Sequence, residues 1–326
     1  MTLFKLIIFF WGINIAAQSA QADIYEGSFL SMGKDYLRRL GGLPTDDVSR
    51  LSGAAKDQCA SRYGSILGDG IIDIRIIIGY FDWTTGSTVN YSGRNYGYSP
   101  SIDPGAYAAL RNILKSRCPG RAEFCGFSQN STYSFSKNVV VQKRKYRARV
   151  EMVYASVSEY YSANTGRYVN QQQQRSQAAQ AAFNSALRNA DAVFYFGHSR
   201  DGGGPDFSPP IFVRGTNKVN YNGYYRVQRP GMKKMLAALS SGRRQPSVLG
   251  LMSCDSRDHF LSSIRRVAPK MGVISSKDVL KVDGVYTALI GGVDAILRGQ
   301  CQSGFNDSLR LTSFNQRYIT MDRMFE

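Results

Sequence analysis

The stretches that decide the fold are Val193-Phe194-Tyr195-Phe196-Gly197-His198-Ser199 and Val248-Leu249-Gly250-Leu251-Met252-Ser253-Cys254-Asp255. Each is an apolar run that stops abruptly at a residue able to do chemistry. Short apolar runs bounded by turn signals read as buried strands. His198 is one of only 2 histidines in the chain, and Cys254 is one of 5 cysteines. In an open α/β sheet, ligands bind outside the carboxyl ends of the strands. A base and a thiol at two such ends predict chemistry with a cysteine nucleophile.

The elements around these runs alternate. The strand predicted over 192–196 leads into a Gly-rich loop, Asp201-Gly202-Gly203-Gly204-Pro205, which lets the backbone pass close to a substrate. A helix over 230–241 opens at Pro230 and stops at Gly242, with Met232, Met235, Leu236 and Leu239 on one apolar stripe. A strand over 247–252, a helix over 256–268, a strand over 271–275 and a helix over 284–298 follow. Upstream, 48–63 reads as a helix and Ile71 to Ile78 as a β-branched strand. Residues 82–105 read as loop, 106–117 as a helix and 124–128 as a short strand. Tyr133 to Tyr161 reads as β structure, either a hairpin around Lys143–Lys145 or one long bent strand. Gln171 to Asn189 reads as a helix, with Ala182, Phe183 and Ala186 among the apolar residues at helical spacing.

This order predicts an α/β fold: a three-layer αβα arrangement with a mostly parallel central sheet. No linker is evident, so 23–326 reads as a single domain, with an N-terminal extension of helix and loop over about 23–68.

The first 22 residues read as a secretory signal peptide: Lys5, an apolar core from Leu6 to Ala17, and small residues at Ala20 and Ala22. That core is too short for a membrane span, which takes roughly 20 residues. Cleavage after Ala22 predicts an exported protein, periplasmic or secreted, that does not span the membrane. Export permits disulfides. The odd count leaves at least one cysteine outside any intramolecular disulfide. With Cys254 as that thiol, the other four allow three connectivities, which sequence does not separate; the preferred one pairs Cys118 with Cys125 around the Pro119-Gly120 turn and leaves Cys59 with Cys301.

The formal charge is +17. Such a field attracts polyanions, and outside the cell those are acidic polymers of the envelope. Lys143, Lys145, Arg147 and Arg149 share one face if that stretch is a strand. No nucleic-acid-binding module is recognisable, no His/Cys spacing resembles a metal site, and no cofactor motif appears.

At the two strand ends the chemistry is specific. A cysteine attacks as thiolate, and its ordinary pKa of about 8.5 leaves little of it ionised at neutral pH. His198 supplies the general base and later protonates the leaving group. The backbone N–H groups of Ser199 and Cys254 are candidates for an oxyanion hole. Asp206 and Asp255 lie near enough in sequence to be candidate substrate-binding residues favouring a basic side chain.

The paired blocks resemble the caspase-like group of cysteine peptidases, which includes caspases, legumain, gingipains, clostripain, separase and CHAT domains. Those families carry a His-Gly pair and an Ala-Cys pair, each after a hydrophobic block. Here the pairs are His198-Ser199 and Ser253-Cys254, and Ser253-Cys254-Asp255-Ser256 is similar to the Ser-Ala-Cys-(Asp/Glu)-(Ser/Thr) run of CHAT proteins. The resemblance implies a caspase-like fold and an endopeptidase that cleaves protein or peptide substrates through a thioester, with Cys254 as nucleophile and His198 handling the proton. Ser199 departs from the pattern, because its Cβ restricts a turn that glycine normally makes.

Two other readings stand beside it. One is a catalytically inactive caspase-like protein that binds acidic envelope polymers or a protein partner through its basic surface. The other is a serine hydrolase using Ser199, since Gly197-His198-Ser199-Arg200-Asp201 is one residue short of G-x-S-x-G. That reading needs a histidine later in the chain, and His259 falls within a predicted helix directly after Cys254.

Overall fold

A computed structural model describes residues 25–326 apart from 83–87, 92–93, 99, 243 and 280. The predicted signal peptide lies outside the described residues. The chain opens with α1 (Glu26–Gly42), a 3-10 turn (Val48–Arg50) and α2 (Gly53–Leu67). Strand β1 (Ile71–Ile78) is followed by a small ribbon of β2 (Thr88–Tyr91) and β3 (Arg94–Tyr98), then α3 (Asp103–Lys115). Strands β4 (Ser128–Gln129), β5 (Ser134–Val141) and β6 (Arg144–Tyr154) precede α4 (Tyr161–Thr165) and α5 (Val169–Asn189). Next come β7 (Ala192–Phe196), a π-helical turn (Tyr221–Arg226), α6 (Pro230–Ser241), β8 (Val248–Met252) and α7 (Ser256–Val267). Strand β9 (Gly272–Ser276), α8 (Val282–Arg298), α9 (Gln302–Leu309), α10 (Ser313–Tyr318) and β10 (Ile319–Asp322) complete the path.

Eight strands form one sheet in the order β10-β9-β8-β7-β1-β6-β5-β4. The five central strands, β9 to β6 in that order, run parallel. The flanking pairs β10–β9, β6–β5 and β5–β4 are antiparallel. Side chains alternate between the faces, as the pleat requires. Ile72, Ile74, Ile76, Phe194 and Phe196 join one apolar cluster with α1, α2, α3 and α8. Ile77, Val193, Tyr195, Leu249 and Leu251 join the other with α5, α6 and α7. Three layers result. Helix α8 is buried along nearly its whole length, from Gly284 to Arg298.

The sheet is mixed, which corrects the expectation of a mostly parallel one. Each parallel connection needs a crossover segment. The chain supplies helices for those, but β5 and β6 are joined by a two-residue turn, Gln142-Lys143, with both residues at positive φ (49° and 69°). A hairpin this tight forces antiparallel pairing. It also moves Lys143 out of the strand, so the basic face of β6 is Lys145, Arg147 and Arg149 alone. The stretch read as loop over 82–105 contains β2 and β3, of the short strand placed at 124–128 only Ser128 lies in a strand (β4), and α1 and everything after α8 were not anticipated as elements.

Cys59 is bonded to Cys301 and Cys118 to Cys125. The first bridge joins α2 to the segment after α8 across a separation of 242 residues. Cys254 lies outside both disulfides. Among the described residues, no helix is long and apolar enough to cross a membrane.

Candidate active site

Three adjacent strands, β1, β7 and β8, end side by side at one edge of the sheet. The register pairs Ile78 with Phe196, and Phe196 with Met252. The pairing continues past the strand ends: Gly197 N–H donates to Met252 O at 3.2 Å, and Gly79 N–H to Phe196 O at 2.8 Å. His198 and Cys254 therefore each stand two residues beyond the paired residues Phe196 and Met252. Asp82 follows the end of β1, on the other side of β7.

The imidazole of His198 is held on two sides. Its ring stacks on Phe81, with centroids 4.7 Å apart and 19° between the planes. Its Nε2 lies 2.9 Å from the main-chain carbonyl of Asp82. A carbonyl only accepts, so Nε2 carries the hydrogen and Nδ1 keeps its lone pair in the neutral ring. Burial pushes the His198 pKa down to about 3, and the positive charge of Arg200 pushes the same way, against the Asp82 carbonyl. The ring is neutral at physiological pH.

The main chain beneath His198 is fixed by Tyr195. Its hydroxyl donates to His198 O at 2.9 Å and to Asp206 O at 3.3 Å, and accepts from Asp206 N–H at 3.1 Å. A Cβ at Gly197 would come within 2.4 Å of that oxygen, so no larger residue fits between the strand and the histidine. Ser199 is buried and does not have positive φ; the left-handed residues are the next two, Arg200 (49°) and Asp201 (50°). The Cβ of Ser199 therefore meets no penalty in this turn.

At the other strand end, Asp255 also takes the left-handed conformation (φ 46°) and caps α7. Its N–H donates to Asp278 O at 3.0 Å. Ser276 Oγ donates to Ser253 O at 2.6 Å, and Ser256 Oγ to Leu251 O at 2.8 Å. These bonds hold the Cys254 turn to β8 and β9. Helix α7 begins at Ser256, so the positive end of its dipole adjoins the segment carrying the thiol, the polarity that suits a developing anion.

The two candidate substrate carboxylates differ in their surroundings. Asp206 accepts from Arg200 Nε at 3.1 Å, from the Tyr225 hydroxyl at 3.1 Å and from Ser208 N–H at 3.2 Å, so it is engaged within the chain. Asp255 is partly exposed. Burial holds its carboxyl above the usual range, opposed by His259 and reinforced by Asp278, Asp258 and Asp201. That places His259 and three further carboxylates around Asp255, on the Cys254 side of the site. His259 itself lies in the first turn and a half of α7. Within the Gly-rich loop, packing requires the glycine at 204: a Cβ there (φ 109°) would lie 2.0 Å from Met232 N, at the start of α6.

Sequence reasoning missed Asp82, Phe81, Tyr195 and Arg200. Asp82 acts through a carbonyl, which no side-chain pattern reveals, although the end of β1 was open to the same strand-end rule. A cavity of about 380 Å³ lies elsewhere, between α4, α5, α6 and the 206–209 loop, lined by Gln173, Gln177, Gln180, Asp206 and Lys234 among others. It holds neither His198 nor Cys254, so the chemical reading rests on the strand ends. Among the described residues, no group of His, Cys, Asp and Glu is placed to hold a metal ion. No protein-family model, no curated protein and no solved structure matches this chain.

Proposed function

We propose that this chain is an exported cysteine endopeptidase of caspase-like type, with Cys254 as nucleophile and His198 as the proton-handling group. One observation carries the reading: each residue stands two positions beyond a paired residue at the ends of adjacent parallel strands, and the histidine is tied back through Nε2. The remaining nitrogen, Nδ1, is the acceptor for the thiol proton. A neutral imidazole favours proton removal in concert with attack over a resting ion pair.

The steps balance on these groups. The Cys254 sulfur adds to a peptide carbonyl as its proton passes to Nδ1, and the carbonyl oxygen takes the negative charge. The Ser199 and Cys254 N–H groups are assigned to that oxyanion. The imidazolium returns the proton to the leaving amine, the C–N bond breaks and a thioester remains. Water, deprotonated by the same nitrogen, adds to the thioester and releases the acid and the thiol. The carboxylates around Asp255 favour a substrate with a basic side chain next to the cut.

Hydrolysis of a peptide library, followed by product mass, tests this. His198→Gln is expected to lower kcat/KM by about 10²–10⁴-fold. Equal cleavage by the variant overturns the assignment.

A second reading, a catalytically inactive chain that binds acidic envelope polymers, has one observation in its favour. Lys145 and Arg147 stand exposed on β6 and, among the described residues, form no ion pair, whereas Arg149 is paired with Asp73 at 2.7 Å. Binding of dextran sulfate that is lost in the double variant Lys145→Gln/Arg147→Gln, in a chain that cleaves no peptide, favours it.

A further inference from the structure

Arg200, two residues after the histidine, is among the largest fully buried side chains. An arginine is almost never buried unless its charge is paired. Its guanidinium reaches back under the site. Nη2 lies 3.3 Å from Tyr80 O and 3.5 Å from Asp82 Oδ2, Nε lies 3.1 Å from Asp206 Oδ2, and the group sits 5.6 Å from the Tyr225 ring centre. One side chain thus ties the end of β1 to the loop after β7. The segment it holds at the β1 end is the one whose carbonyl receives the His198 Nε2 hydrogen.

The backbone of Arg200 is left-handed, with φ 49°. Glycine or asparagine normally fills such a position. Residues held there against preference cluster where a constraint is used, and here the constraint aims the side chain beneath His198 instead of into solvent.

We propose that Arg200 is the positioning residue of this site: it fixes the Asp82 carbonyl against His198 Nε2, so setting the tautomer. The effect on rate rests on the peptidase reading; the effect on the imidazole does not. The titratable groups around the guanidinium are Tyr80 and Asp82 after β1, Tyr195 and Asp206 on β7 and its loop, Tyr221 and Tyr225 on the π-helical turn, and Asp103 on α3, which acts on Asp82. Burial works against the charge of Arg200, while Tyr225, Asp206 and Asp82 hold it. A buried arginine that is only a staple also ties these segments together, but removing it leaves the imidazole tautomer unchanged.

The chain's 2 histidines make this readable. In ¹⁵N-histidine-labelled protein, with signals assigned through His259→Gln, the His198 ring is followed by long-range ¹H–¹⁵N spectra from pH 5 to 8. In the wild type, His198 is expected as the Nε2–H tautomer and not to titrate over this range. Arg200→Met is expected to mix the tautomers, so that Nδ1 carries the hydrogen in part of the population. Arg200→Lys keeps the positive charge but not the shape of the guanidinium. It is also expected to mix the tautomers, because a compact ammonium lacks the planar fork that spans Asp82 and Asp206. In both variants kcat is expected to fall by about 10²-fold with KM held.

A folded Arg200→Met whose His198 spectrum matches wild type overturns the proposal. Should that variant fail to fold, wild-type tautomer and wild-type kcat in Arg200→Lys overturn it equally. A wild type without peptidase activity removes the rate arm and leaves the spectra to decide.

Discussion

His198 donates its Nε2 hydrogen to the main-chain carbonyl of Asp82 across 2.9 Å, from the end of one strand to the end of its neighbour. This bond sets the orientation of the histidine that follows β7, next to the strand that leads to Cys254. A carbonyl anchor fixes the tautomer without adding a negative charge beside the ring. The ring is therefore held with its hydrogen on Nε2 and none on Nδ1.

Tyr195 supports this geometry from below. Tyr195→Phe removes the hydroxyl that bonds His198 O and the main chain of Asp206. Leaving those buried groups without a partner is expected to cost about 1–3 kcal/mol, measured by urea denaturation. A loss below about 0.5 kcal/mol, within the range of a neutral surface change, contradicts the role given to this hydroxyl.

Stability is expected to fall as pH rises from 5 to 8. Burial, the first cause in each case, pushes the carboxyls of Asp82, Asp103, Asp191 and Asp294 up to about 7, 6, 6 and 6 from 3.8. Below 3.8 these groups are protonated in both states and their advantage is complete; it is lost as pH rises through 6 to 7, where the folded chain must give up protons. His198, pushed down to about 3, acts oppositely, costing stability as pH falls below 6.5. Four groups outweigh one, so Tm is expected to be higher at pH 5 than at pH 8. Asp82→Asn is expected to flatten the decline between pH 6 and 8. A Tm that climbs from pH 5 to 8 contradicts this account.

How far these features were legible in the sequence follows from where the information lies. β7, β8 and α6 were readable because each is continuous and bounded by glycine, proline or polar residues. Helix α1 was not, because Gly27, Gly33, Gly41 and Gly42 weaken the local helical signal. Gly33 is there for packing: a Cβ would lie 2.3 Å from Ile113 Cδ1 on α3, a contact that exists only in the folded state. The β5–β6 hairpin was legible only as one of two readings of Tyr133 to Tyr161, because a continuous β pattern does not itself say where the chain reverses. His198 and Cys254 were singled out through residue type. Asp82 works through its backbone, and Arg200 through a buried reach from a position that reads as an ordinary polar loop.

The two disulfides are expected to contribute unequally. Cys59–Cys301 closes a separation of 242 residues, and Cys118–Cys125 one of 7. Chain-entropy reasoning gives more stabilisation to the longer loop, within a range of about 2–5 kcal/mol for a native bridge. Cys59→Ala/Cys301→Ala is expected to lower the denaturation midpoint more than Cys118→Ala/Cys125→Ala does. The reverse order contradicts it.

The central claim is that Cys254 is a nucleophile served by His198, and covalent capture tests it most directly. Wild-type protein with both disulfides intact is treated with a thiol-directed peptide probe, and the product is read by intact mass and peptide mapping. One adduct is expected, on Cys254, absent from Cys254→Ala and formed far more slowly in His198→Gln. A folded wild-type chain that takes no adduct, or an adduct that persists in Cys254→Ala, contradicts the account.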